Sequence, residues 1–144
     1  MSAAAGIALL TLIAQVESAG QTRVLLLNDC PVGLEGFYAP ISNRIGLCRN
    51  NHSGDTALTS TLLHEAMHRL QHCRKPEITD LLEAEHSVSA LEEEARALEQ
   101  LGDQDLSTAM SWLRRQLRNQ CHRDPINPPT HGEEQAPLSK NAST

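Results

Sequence analysis

Aromatic side chains are nearly missing from this 144-residue chain: Phe37, Tyr38 and Trp112 are the whole set. Bases of single-stranded nucleic acids stack on such rings, so a stacking platform is excluded. Basic charge is short as well. Lys and Arg number 12 against 18 Asp and Glu, for a formal net charge of -6, so the cationic footprint that tracks a phosphate backbone is missing and no nucleic-acid partner is expected. No Lys or Arg precedes Arg23. The apolar run at residues 3–14 therefore lacks both the positive start of a secretory signal and the arginines of a transit peptide. It is also shorter than the ~20 residues that cross a bilayer. No integral span is expected, and a cytoplasmic location is favoured. Cys30, Cys48, Cys73 and Cys121 contain no Cys-x-x-Cys pair, which argues against a separate four-cysteine zinc site. Without an export signal, their thiols are expected reduced or only partly paired.

What is present suits one small α+β domain. Apolar residues make up 40% of the chain, enough for a modest core over residues 1–123. Residues 124–144 hold four prolines and little that is apolar, so they are expected as a disordered or loosely packed tail. The N-terminal run reads as a helix with Ile7, Leu9, Leu10, Leu12, Ile13 and Val16 turned inward, stopping near Gly20. Residues 23–28, 36–39 and 44–48 read as extended segments of a small sheet or hairpin. Three further helices follow, at roughly residues 56–73, 79–101 and 106–120. Asp55 is placed to cap the first and Gly102 to end the second.

The first of these helices carries His64-Glu65-Ala66-Met67-His68, an H-E-x-x-H pentapeptide. Residues i and i+4 lie one turn apart on one face, so both imidazoles can reach a single ion, and Zn²⁺ is the natural occupant. Glu65, displaced around the helix, is placed to take a proton from a water on the metal rather than to bind the metal. Leu62, Leu63, Met67 and Leu70 would draw the motif toward the core. A catalytic zinc needs a third protein ligand. The next helix offers Glu83, Glu85, His86, Glu92, Glu93 and Glu94, among which periodicity does not choose.

Several elements occur in one order: Asn28-Asp29-Cys30, Gly36-Phe37, Ile45-Gly46-Leu47-Cys48-Arg49-Asn50, Leu63-His64-Glu65-Ala66-Met67-His68, His72-Cys73-Arg74, Glu94-Ala95-Arg96-Ala97 and Cys121-His122-Arg123-Asp124. This order resembles the small metallopeptidase family of the mitochondrial intermembrane space that processes and assembles an ATP-synthase subunit. The resemblance spans roughly residues 6 to 125. It implies a minimal zincin-like, gluzincin-type domain. It also singles out Glu94 as third ligand, with Arg96 placed to orient a ligand carboxylate. The segment between Cys73 and Glu94 is about one helical turn longer than in the family, which leaves Glu92 or Glu93 open. Two positions depart from the family: Gln71 and Tyr38 each stand where it has Asp.

The expected function is that of a zinc-dependent endopeptidase. His64, His68 and Glu94 hold Zn²⁺, Glu65 serves as base and proton donor, and a polypeptide substrate lies extended along an edge strand near Arg44–Cys48. Tyr38 is a candidate for stabilising the transition state; His52, His86, His72 and Arg74 are weaker candidates for site roles. The alternative is a zinc-binding assembly factor or chaperone with little or no proteolysis.

Overall fold

The computed structural model describes residues 3–78 and 89–122. Its architecture is α+β: helix α1 (Ala3–Gly20), strands β1 (Arg23–Leu27), β2 (Gly36–Ala39) and β3 (Arg44–Cys48), then helices α2 (Asp55–Arg74), α3 (Ser89–Gln104) and α4 (Leu106–Cys121). The tail beyond residue 123, and the expected start of the second helix with Leu81, His86 and Val88, lie outside the described residues.

Helix α2 is the hub. α1, α3, α4, β2 and β3 all pack against it. The apolar stripe read from the sequence, Leu58, Leu62, Leu63, Ala66, Met67 and Leu70, is buried, and so are the polar residues Thr59, Thr61, Glu65, His68 and Gln71. A helix enclosed on so many sides loses its solvated face, which is why polar side chains enter the interior here. The facing stripes agree with the sequence as well: Ala95 and Leu98 on α3, and Ala109, Trp112, Leu113 and Leu117 on α4, are buried.

Helix α1 departs from expectation. Leu9, Leu12 and Val16 are buried, but Ile7 and Leu10 are 65% and 64% exposed. One stripe at helical spacing meets α2 and α4, with Ile13 partly buried beside it, and Ile7 and Leu10 fall outside it. By length and composition alone this helix could also cross a membrane. Its C-terminal carbonyls are capped from elsewhere: Arg69 Nε donates to Gly20 O at 2.8 Å, and His122 Nε2 lies 2.8 Å from Ala19 O. Further along, Gly54 rather than Asp55 occupies the cap of α2, with Asp55 as the first helical residue. Gly102 does not stop α3, which runs on to Gln104. A Cβ on Gly102 would lie 2.2 Å from Leu63 Cδ1, so the glycine marks a close helix contact instead of a terminus.

The sheet order is β1-β3-β2, with β1 parallel and β2 antiparallel to β3. Arg44–Cys48 is therefore the central strand, paired on both sides. The expectation that a substrate would lie along it is corrected: a strand with both edges paired has no free hydrogen-bonding edge. β2 is the edge strand near α2. Gly36 brings it close, since a Cβ there would sit 2.8 Å from both Gly46 O and Thr61 Cγ2.

The cysteines also depart from expectation. Cys30–Cys48 and Cys73–Cys121 are both disulfides, with Cα separations of 5.7 and 5.1 Å, and no cysteine is free. The first ties the loop before β2 to the end of β3, and the second ties α2 to the end of α4. Side chains reinforce the first tie. The Asn50 amide pairs with the backbone of Cys30 in both directions, at 3.1 and 3.0 Å. Asn51 Nδ2 donates to Pro31 O and Leu34 O, each at 2.7 Å.

Gly36→Ala should destabilise the protein by about 1–3 kcal/mol, because both close neighbours are packed and one is backbone. Urea unfolding measures this; an unchanged midpoint would mean that β2 does not press on α2 as described.

Candidate metal centre

His64 and His68 project from adjacent turns of α2, and their rings meet edge to face with centroids 5.1 Å apart. Glu92, in the first turn of α3, reaches both. Its Oε1 lies 2.8 Å from His64 Nε2 and its Oε2 lies 2.9 Å from His68 Nε2. One ligand atom from each of the three residues falls within 4.8 Å of the others. The structure thus positions His64, His68 and Glu92 to bind a metal ion.

The other ring nitrogens are also engaged. His64 Nδ1 lies 2.9 Å from Glu99 Oε1, and His68 Nδ1 lies 2.8 Å from Gln71 Oε1. Both partners are acceptors, so each Nδ1 carries a hydrogen. In a neutral imidazole this leaves a lone pair on Nε2, and both lone pairs then face the Glu92 carboxylate. Acceptor against acceptor at these distances is repulsive unless a proton or a cation lies between them. Burial lowers the pKa of His68, against the opposing pull of Gln71 and Glu92, so a proton is the harder solution there. A metal ion answers the arrangement.

The third carboxylate is thus corrected from Glu94 to Glu92. Glu94 faces away from the histidines: its Oε2 accepts from Arg74 Nη1 at 3.0 Å and its Oε1 from Gln71 Nε2 at 3.0 Å. Two residues along a helix is a rotation of about 200°, so Glu92 and Glu94 cannot serve one point. Glu93 is exposed. Arg96 does not hold Glu94 either. It borders a hollow with Glu92 and Glu99, and Arg74 is the arginine that bonds Glu94.

Glu65 is buried, and its carboxyl forms no hydrogen bond among the described residues. Burial pushes its pKa up to about 7; His64 opposes this, while Glu92, Glu99 and Glu35 add to it. A base poised near neutrality suits proton transfer at physiological pH. The group opens onto a cleft of two joined hollows, of about 450 and 270 Å³, which share Gly36, His64, Glu65 and Glu92.

Tyr38 lines the smaller hollow, but its hydroxyl is engaged elsewhere. It accepts from Arg69 Nη1 at 3.2 Å and donates to His72 Nδ1 at 2.9 Å. Burial raises its pKa and Arg69 opposes the rise. A hydroxyl held this way is not aimed at the histidine pair. His52 bridges Cys48 O and Thr61 Oγ1 at 2.7 and 2.8 Å, a structural link between the loop after β3 and α2. His86 lies outside the described residues.

Two residues of the site escaped the sequence reading: Glu99, and Gln71 in this role. The sequence carries one signal for the first, since Glu92 and Glu99 are seven apart and so share a helix face. Comparison with protein-family models, curated proteins and solved structures finds no match for this chain.

The Glu65 shift sets a pH dependence in the metal-free protein. The folded pKa, about 7, exceeds the ordinary value of 4.5. The neutral acid is thus the form the fold favours, and stability falls as pH rises from about 4.5 to about 7, by roughly 3 kcal/mol in full. Metal-free Glu65→Gln should therefore exceed wild type in urea unfolding above pH 7, with the gap closing toward pH 4.5. A gap independent of pH would contradict the shift.

Proposed function

We propose that the protein is a zinc-dependent endopeptidase of the H-E-x-x-H type, with His64, His68 and Glu92 as metal ligands. The observation that carries the reading is the conjunction at one point of α2: two imidazoles whose Nε2 atoms converge on Glu92, beside a buried Glu65 with no hydrogen-bond partner among the described residues. A structural ion pair has no need of the second feature, since a buried carboxyl without a partner costs stability, a cost that catalytic sites commonly carry. Bound zinc would supply Lewis acidity, polarising a carbonyl and making water a nucleophile at neutral pH.

The chain's own residues account for the rest. Glu65 takes the proton of the attacking water and passes it to the departing amine. Glu99 and Gln71 hold the imidazoles in the tautomer that leaves Nε2 free. β2 offers a place for an extended peptide. Cys48 N donates to Glu35 O at 2.9 Å. By the alternation of an antiparallel ladder, Phe37 and Ala39 then bond to β3, and the backbone groups of Gly36 and Tyr38 point to the open edge. Gly36 lines both hollows of the cleft. A polypeptide substrate paired on this edge would cross the histidine pair. The two disulfides favour an oxidising compartment over the cytoplasmic one expected from the sequence.

Glu65→Gln keeps both imidazoles and the carboxylate ligand and removes the base. With zinc bound, it should cleave an unfolded polypeptide about 10²- to 10⁴-fold more slowly than wild type. Cleavage at the wild-type rate would refute the assigned role. Zinc bound by wild type with no cleavage of any unfolded chain would favour the assembly-factor alternative.

A further inference from the structure

Gln71 is 3% exposed, and its amide is used at three points. Oε1 lies 2.8 Å from His68 Nδ1, while Nε2 lies 2.9 Å from Leu91 O and 3.0 Å from Glu94 Oε1. Leu91 O and Glu94 Oε1 can only accept, so the amide nitrogen must face them and the amide oxygen must face His68. That orientation leaves His68 Nδ1 one role, as donor, and places the lone pair of the neutral ring on Nε2, the atom that faces Glu92.

The same amide crosses from α2 to the first turn of α3. Its two partners there, Leu91 and Glu94, lie on either side of Glu92 in the sequence. Arg74 extends the anchor through Glu94. A carboxylate at position 71 could orient His68, but it has no N–H for Leu91 O and would set its charge against Glu94. The glutamine and Glu94 are thus a matched pair.

We propose that Gln71 is a positioning residue that couples the tautomer of His68 to the placement of Glu92, so that the donor set is assembled before a metal ion arrives. The proposal rests on the metal-site reading above. It makes one buried amide bear on two of the three ligands, which come from different helices.

The test compares wild type, Gln71→Met and the exchange pair Gln71→Glu/Glu94→Gln. Met fills similar space without hydrogen bonds. The exchange keeps an acceptor for His68 and a 71–94 hydrogen bond with donor and acceptor reversed. Two readouts are taken: the Kd for zinc alone, by competition with a chromophoric chelator, and the imidazole ¹⁵N shifts of His68 in the metal-free protein. Wild type should show hydrogen on Nδ1. Gln71→Met should lose that preference and bind zinc about 10- to 100-fold more weakly. The exchange pair should restore hydrogen on Nδ1 and recover most of the affinity lost in Gln71→Met, short of wild type by the missing donor to Leu91 O. An unaltered tautomer and Kd in Gln71→Met, or an exchange pair no better than Gln71→Met, would overturn the proposal and leave Gln71 a packing residue. A wild type that binds no zinc is a different failure: it would remove the metal-site reading, and this proposal with it.

Discussion

A helix enclosed by three others and two strands must here carry two imidazoles and a carboxyl, and each buried polar atom on it needs a partner or a purpose. The rest of the structure follows from that constraint on α2. His64 finds Glu99 and Glu92, and His68 finds Gln71 and Glu92. Tyr38 meets Arg69 and His72, and Arg74 meets Glu94. Glu65 is left over, and it is the group that opens onto the cleft. The apolar stripe of α2 supplies the burial that makes these pairings necessary. The acidic face of α3 supplies most of the partners.

Close approach shapes the cleft. Gly36 brings β2 down onto Thr61 and Glu65, and Gly102 brings α3 against Leu63. The first contact sets a strand edge beside the histidines; the second seats the helix that carries Glu92 and Glu99. The disulfides and the Asn50-Asn51 pair hold the connecting segments at either end of this arrangement. A small domain with few aromatic rings thus frames its cleft with glycine contacts and covalent ties.

Much of this was legible in the sequence. Helical spacing located α2, α3 and α4 and their buried apolar residues, because each stripe recurs at the helical period. The H-E-x-x-H spacing located the histidine pair and Glu65. The third ligand was harder. Glu92, Glu93 and Glu94 are consecutive, and which one faces α2 depends on how the two helices are rotated against each other, a tertiary property that periodicity does not carry. The resemblance pointed to Glu94, which instead anchors Arg74 and Gln71. Ile7 and Leu10 were misjudged because an apolar helix meets its neighbours along one stripe whatever its composition. The expected edge position of Arg44–Cys48 does not hold, because the strand pattern does not show that β1 pairs with β3. Disulfide pairing depends on distance in the fold, to which Cys spacing gave no access.

The central claim is that His64, His68 and Glu92 together hold a divalent metal. It is tested most directly by zinc content per chain after equilibrium dialysis, measured for wild type, Glu92→Ala and Glu94→Ala. The account predicts one zinc per chain in wild type, retention in Glu94→Ala at saturating zinc, and loss in Glu92→Ala. Full zinc in Glu92→Ala, or none in wild type, would contradict it.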